Sequence, residues 1–170
     1  MHKIYKNETV IKHNKQLIKD LNYCKSLNLF NDYTWDYYRY NIFMLNPNSV
    51  VMHQLCTDLK KIIRDYLQTS DPLWMQCWLN FHNPNEVLDW HTHEWPAHGY
   101  ISVRPHNTST VFENFEVKNK IGNIYIGPGN IKHKVVVNKN FNTPRITIGF
   151  DVKTKDVKIG DNIMSCLMPI

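Results

Sequence analysis

From Pro72 to about Val152 apolar and polar residues alternate with a period of two. Turn signals at Asn83-Pro84-Asn85, Pro105-His106-Asn107, Gly127-Pro128-Gly129 and Asn142-Thr143-Pro144 cut the run into short segments. A pattern of this kind commits the chain to sheet, because a strand sends successive side chains to opposite faces. What the polar positions carry is more restrictive still. In 76–82 the set Gln76, Trp78, Asn80 and His82 opposes Cys77, Leu79 and Phe81. In 98–103 His98, Tyr100 and Ser102 oppose Ile101 and Val103, and in 145–152 Arg145, Thr147 and Gly149 oppose Ile146, Ile148 and Phe150. A face washed by solvent is rich in Lys and Glu. These faces carry His, Tyr, Trp, Asn, Arg and Thr, which suits the lining of a cavity. The apolar faces then need a cover.

The N-terminal part supplies one. Leu17, Ile18, Leu21, Cys24 and Leu27 recur at helical spacing and predict an amphipathic helix over 14–27. The aromatic stretch Thr34 to Leu45, with Trp35, Tyr37, Tyr38, Tyr40 and Phe43, reads as a strand. Asn48 or Ser49 is an N-cap for a second helix, whose stripe Val51, Leu55, Leu59, Ile62, Ile63 and Tyr66 ends near Gln68. Helices followed by many strands predict an α+β domain. The expected architecture is a jelly roll with a polar mouth, backed by the N-terminal helices. We expect a single domain over 1–170, with support in 1–71, the β core in 72–152 and a C-terminal tail in 153–170.

A chain of 170 residues has the length for one proper core. The net charge of +5 comes from basic residues scattered along the chain, with no dense arginine cluster, so a lysine-rich surface is expected and nucleic-acid binding is not. Cys24, Cys56, Cys77 and Cys166 are far apart with no CxxC pair. This argues against a thiolate zinc site and fits a reducing compartment. The N-terminus shows no apolar signal segment and no run is long enough to span a membrane, so a cytoplasmic location is expected.

Within the β region, His91-x-His93, His133 and Arg145-x-Thr147 stand out. On a strand His91 and His93 project from one face, so their imidazoles can converge on one ion, with His133 arriving from a separate strand across 132–138. Imidazole suits Fe, Zn, Cu and Ni. A buried Arg145 needs an anionic partner, and Arg grips a carboxylate through two parallel hydrogen bonds. Thr147 on the same face adds a hydroxyl. Together they would bind one end of a dicarboxylate whose other end reaches the metal.

The segment from about Trp78 to Val152 resembles the double-stranded β-helix of the 2-oxoglutarate/Fe(II)-dependent oxygenases, especially small phage and bacterial members related to prolyl hydroxylases. The resemblance is carried by Trp78-Leu79-Asn80, Trp90-His91-Thr92-His93, Gly99-Tyr100-Ile101-Ser102-Val103, the run Gly122 to Gly129, His133-Lys134-Val135 and Arg145 to Phe150. It implies that His91 and His133 are iron ligands. It implies too that Arg145 and Thr147 hold the distal carboxylate of 2-oxoglutarate, with Tyr100 or Asn80 helping. The implied reaction splits 2-oxoglutarate into succinate and carbon dioxide while hydroxylating a C–H bond of a peptide or small molecule. A prolyl residue is the first candidate substrate, and a phage gene product working in host cytoplasm fits the same resemblance.

The family motif is His-x-Asp/Glu, and here His93 fills the carboxylate position. We take His93 as the third ligand; Asp89 and Glu94 are the nearby carboxylates that could replace it. His98 is a group for the metal's surroundings or the substrate, and Trp95 a substrate contact. Two rivals stand beside this reading. A cupin-type three-histidine metal protein fits the spacing of Gly122, Pro128 and His133, but Ala97 and His98 stand where its glutamate is expected. The other rival is a metal-free jelly-roll binding module.

Overall fold

A computed structural model describes residues 1–27, 40–154 and 167–170. It opens with strand β1 (Lys3–Lys6) and a short helix α1 (Glu8–Lys12), followed by α2 (Asn14–Ser26), a 3-10 turn over Ile42–Met44 and α3 (Val50–Leu67). The β region follows as β2 (Leu73–His82), β3 (Ala97–Arg104), β4 (Thr108–Phe112), β5 (Glu116–Lys118), β6 (Asn123–Gly127), β7 (His133–Val137) and β8 (Arg145–Thr154). Met168–Pro169 forms β9, an edge strand against β2 at the end of what the sequence suggested was a tail.

The strands make two antiparallel sheets. The larger has the order β1-β6-β3-β8-β2-β9, the smaller β5-β4-β7. The chain is thus α+β with two sheets, an arrangement compatible with a β-sandwich. The even-numbered residues of β8, Ile146, Ile148, Phe150 and Val152, are fully buried in a core shared with Leu17, Leu21 and Cys24 of α2 and Leu55, Leu59 and Ile63 of α3. Each such aliphatic side chain contributes about 1.5–3 kcal/mol by leaving water. A second, smaller cluster of Tyr100, Phe112, Val117 and Tyr125 lies between the sheets.

The helices begin where cap chemistry places them. Ser49 Oγ accepts from Met52 N at 3.1 Å and donates to the Asp20 carboxylate, so one residue starts α3 and ties it to α2. Gln68 closes α3 in the left-handed conformation, φ 51°. The expected strand over Thr34 to Leu45 falls partly outside the described residues, and its described end is not a strand. There Asn41 caps the 3-10 turn by accepting from Phe43 N, and its side-chain amide donates to Met75 O at 3.0 Å. Local side-chain bonding outcompetes strand pairing at that point. Cys24, Cys56 and Cys77 are buried. Among the described residues no helix is long and apolar enough to cross a membrane.

Candidate metal and acid site

The stretch that carries His91 and His93 is a loop rather than the expected strand. It touches the small sheet through an isolated bridge, His91 N to His133 O and His133 N to His91 O at 3.0 Å each, with Val135 N donating to Leu88 O at 3.0 Å. The pairing stops there because β7 begins at His133, and the chain before it is the turn 128–131. Only Gly129 O reaches further, accepting from His93 N at 2.9 Å. Glycine is required at that contact, since a Cβ on Gly129 would stand 2.2 Å from Trp95 O. The alternation survives without the ladder: His91 and His93 are half-buried while Thr92 and Glu94 are exposed.

The three sequence-predicted imidazoles meet. Ring centroids of His91 and His133 are 4.3 Å apart, His91 and His93 5.3 Å, and His93 and His133 5.5 Å. One potential ligand atom from each lies within 4.8 Å of the others. An ion bound at about 2.1 Å from each nitrogen wants them about 3–3.5 Å apart, a distance that small side-chain rotations supply. Their tautomers are set by neighbours. His91 Nδ1 donates to Asp89 O at 2.7 Å and His133 Nδ1 to Ile131 O at 3.0 Å. Since a carbonyl only accepts, both protons sit on Nδ1 and both Nε2 lone pairs are free. His93 Nε2 is buried with no partner at all. Burial pushes His133 down to about 3, with His98 adding to the effect, and lowers His91 as well, against the pull of the Asp89 carbonyl. These two are therefore neutral at pH 7, as metal ligation demands.

Sequence reasoning missed Asp151. It lies on β8 with Arg145, Thr147 and Gly149, one step beyond where the polar face was followed, and it is 1% exposed. His93 Nδ1 approaches its Oδ1 at 3.2 Å, and His98 Nδ1 bonds the same oxygen at 2.9 Å. Burial raises the Asp151 carboxyl, but the hydrogen bonds from the two imidazoles outweigh it and hold it at about 2. His98 itself is pushed down to about 4 by burial, then by His93, and its ring stacks on His93 at 3.5 Å. The two nearby carboxylates considered from sequence are elsewhere. Asp89 and Glu94 are exposed, and Asp89 contributes its backbone carbonyl to His91.

The same cavity, about 40 Å³, is lined by all three ligand candidates and by Arg145, Thr147, Asn80, Tyr100 and His98, with Trp78 over Gly149 as its floor. A Cβ on Gly149 would fall 2.4 Å from the Trp78 indole, so the floor can lie flat only over glycine. Arg145 is buried, and its Nη1 donates to Thr147 Oγ1 at 3.3 Å, as does Asn80 Nδ2 at 3.3 Å. Arg145 Nε has no partner, and among the described residues no carboxylate pairs with the guanidinium. Burial drives it down to about 10. Tyr100 beside it is pushed up to about 12 by burial and stays a neutral hydroxyl. Compared with protein-family models, curated proteins and solved structures, the chain matches none. Trp95 is not among the cavity-lining residues; its ring packs under Lys153 Nζ at 3.5 Å.

Proposed function

We propose that this chain is a 2-oxoglutarate- and Fe(II)-dependent dioxygenase that hydroxylates a peptide or small-molecule substrate on a double-stranded β-helix. The strand order supports the fold reading. Segment 88–91 lies beside β7 through the isolated His91–His133 bridge, so that side reads 88–91, β7, β4, β5, opposite β2, β8, β3, β6 of the large sheet. From β2 to β8 the chain then crosses between the layers one segment at a time, except that β4 and β5 follow one another in the small sheet, an order that a jelly roll also has.

The observation that carries the functional reading is the buried Arg145, which has no acidic partner among the described residues and shares one cavity with three imidazoles whose Nε2 atoms are unengaged among those residues. A buried guanidinium is costly until an anion meets it, and a carboxylate is the anion that its fork and the Thr147 hydroxyl fit best. His91, His93 and His133 would hold the iron. Arg145 and Thr147 would bind the distal carboxylate of 2-oxoglutarate, with Asn80 orienting the Thr147 hydroxyl and Tyr100 offering a neutral donor. Bound iron and 2-oxoglutarate supply the oxidising chemistry, in which dioxygen places one atom in succinate and one in the substrate C–H bond while carbon dioxide leaves. The Trp78 floor and the apolar flank of Leu88 and Val135 keep water from the acid. The cavity is small beside the ~300–1,000 Å³ that hold drug-sized ligands. At roughly 10–15 Å³ per water it has room for about three waters, so its walls would have to open to admit an ion and a slender acid, and the substrate would present its reacting carbon from outside.

His93 in the carboxylate position favours one second reading, a cupin-type three-histidine metal protein, which has no need of Arg145. Succinate release from 2-oxoglutarate, with Fe(II), ascorbate and air, separates the two. Iron-dependent release supports the oxygenase; iron uptake without succinate, across a panel of prolyl peptides and small acids, favours the cupin type.

A further inference from the structure

Two observations meet at His93. On one side Nε2 is buried and unpartnered. On the other Nδ1 faces a carboxylate that is 1% exposed and whose partners among the described residues are the His93 and His98 imidazoles. Taking a carboxylate out of water is costly, and positive charge close by offsets that cost. A cation beyond His93 answers both at once, because the imidazole binds a metal through Nε2 while its polarised Nδ1–H donates to the carboxylate.

We propose that Asp151 is the positioning residue of this centre: it fixes the His93 ring and lends the ion, at one imidazole's remove, the negative charge that a carboxylate ligand would bring directly. The inference rests on the reading that His91, His93 and His133 bind a metal. Three neutral imidazoles leave a divalent ion at +2; Asp151 brings the centre to +1, the charge of a two-histidine, one-carboxylate set. This resolves the departure at His93 without recruiting Asp89 or Glu94. His98 has a graded part in it. It bonds the same Oδ1 more closely, 2.9 Å against 3.2 Å for His93, and so draws off part of the charge that His93 would otherwise receive.

Opposite shifts from two substitutions test this. Asp151→Asn keeps the shape and removes the charge. His98→Phe keeps the ring stacked on His93 and removes the competing donor. Both are measured with Fe(II) and Co(II) alone, without 2-oxoglutarate, by chelator competition and by the Fe(III)/Fe(II) midpoint potential. Asp151→Asn is expected to weaken metal binding 10- to 100-fold and to raise the potential, since lost negative charge disfavours Fe(III). His98→Phe is expected to lower the potential; each tenfold change in relative affinity for the two oxidation states is about 59 mV. A purely structural role would loosen both variants and leave the potential in place or move it the same way in both, and either result overturns the proposal. If Asp151→Asn fails to fold, the sign of the His98→Phe shift decides alone. A wild-type protein that binds no ion overturns this inference together with the metal reading. Wild-type binding with an unchanged Asp151→Asn overturns it and leaves the metal site standing.

Discussion

Replacing Arg145 with methionine is expected to make the ligand-free protein more stable and blind to 2-oxoglutarate. Burial lowers the guanidinium from 12.5 to about 10, and at about 1.4 kcal/mol per tenfold the charged side chain costs the fold about 3 kcal/mol at neutral pH. The sign is clear: the folded state holds this proton less tightly than the unfolded chain, so the cost is present in full below about pH 10. Methionine removes that cost, keeps most of the aliphatic volume, and gives up one charged hydrogen bond to Thr147, worth about 1.5–3 kcal/mol. The net change lies between zero and about 1.5 kcal/mol of stabilisation, or up to roughly 6 °C in Tm at about 2–4 °C per kcal/mol. Ligand then separates the proteins. At a concentration one hundred times its Kd, 2-oxoglutarate stabilises the wild type by about 2.7 kcal/mol, and Arg145→Met not at all. Thermal melts with and without 2-oxoglutarate and Fe(II) measure both effects. An Arg145→Met protein that melts well below wild type without ligand, or gains the same stability from 2-oxoglutarate, refutes the idea of a cation waiting for its anion.

Two further outcomes follow from geometry and charge. Gly149→Ala forces a methyl into the Trp78 indole at 2.4 Å; overpacking of this kind costs about 1–3 kcal/mol, and denaturant titration should show that loss alongside weakened binding of small acids. His82 is buried and held at about 4, first by burial and then by the Arg145 charge. Its folded value lies below the unfolded 6.5, so its contribution is complete above pH 6.5 and fades as pH falls toward 4, by about 3 kcal/mol in all. His82→Gln should flatten that part of an acid-denaturation profile; a profile as steep as wild type would place the acid sensitivity elsewhere.

Much of this arrangement was legible in the sequence because packing and local chemistry agreed. The α2 and α3 stripes and the Ser49 cap coincide with the observed helices to within a residue or two. The polar faces of β2, β3 and β8 line the cavity as alternation alone suggests. What was not legible depends on distant partners. β1 is short and mostly exposed, and it is a strand because β6 pairs with it. The His91–His93 segment has strand-like alternation yet lacks a ladder, since its neighbour β7 starts too late. Asp151 carried a readable signal, the next odd position after Gly149. Its meaning came only from His98 and His93, which the β3–β8 register and the 91–93 loop bring to it.

Strand β8 puts the acid grip and the buried charge on one rod. Thr147 and Asp151 are separated by about 13 Å of backbone at the usual ~3.3 Å per residue, and sheet neighbours on both sides, β2 and β3, prevent it from sliding. The spacing between Thr147 in the cavity and Asp151 behind His93 is therefore metered by the pleat itself. A one-residue insertion between 147 and 150 would turn Asp151 toward the helices and bring Phe150 into its place, so drift in β8 is tolerated only in steps of two.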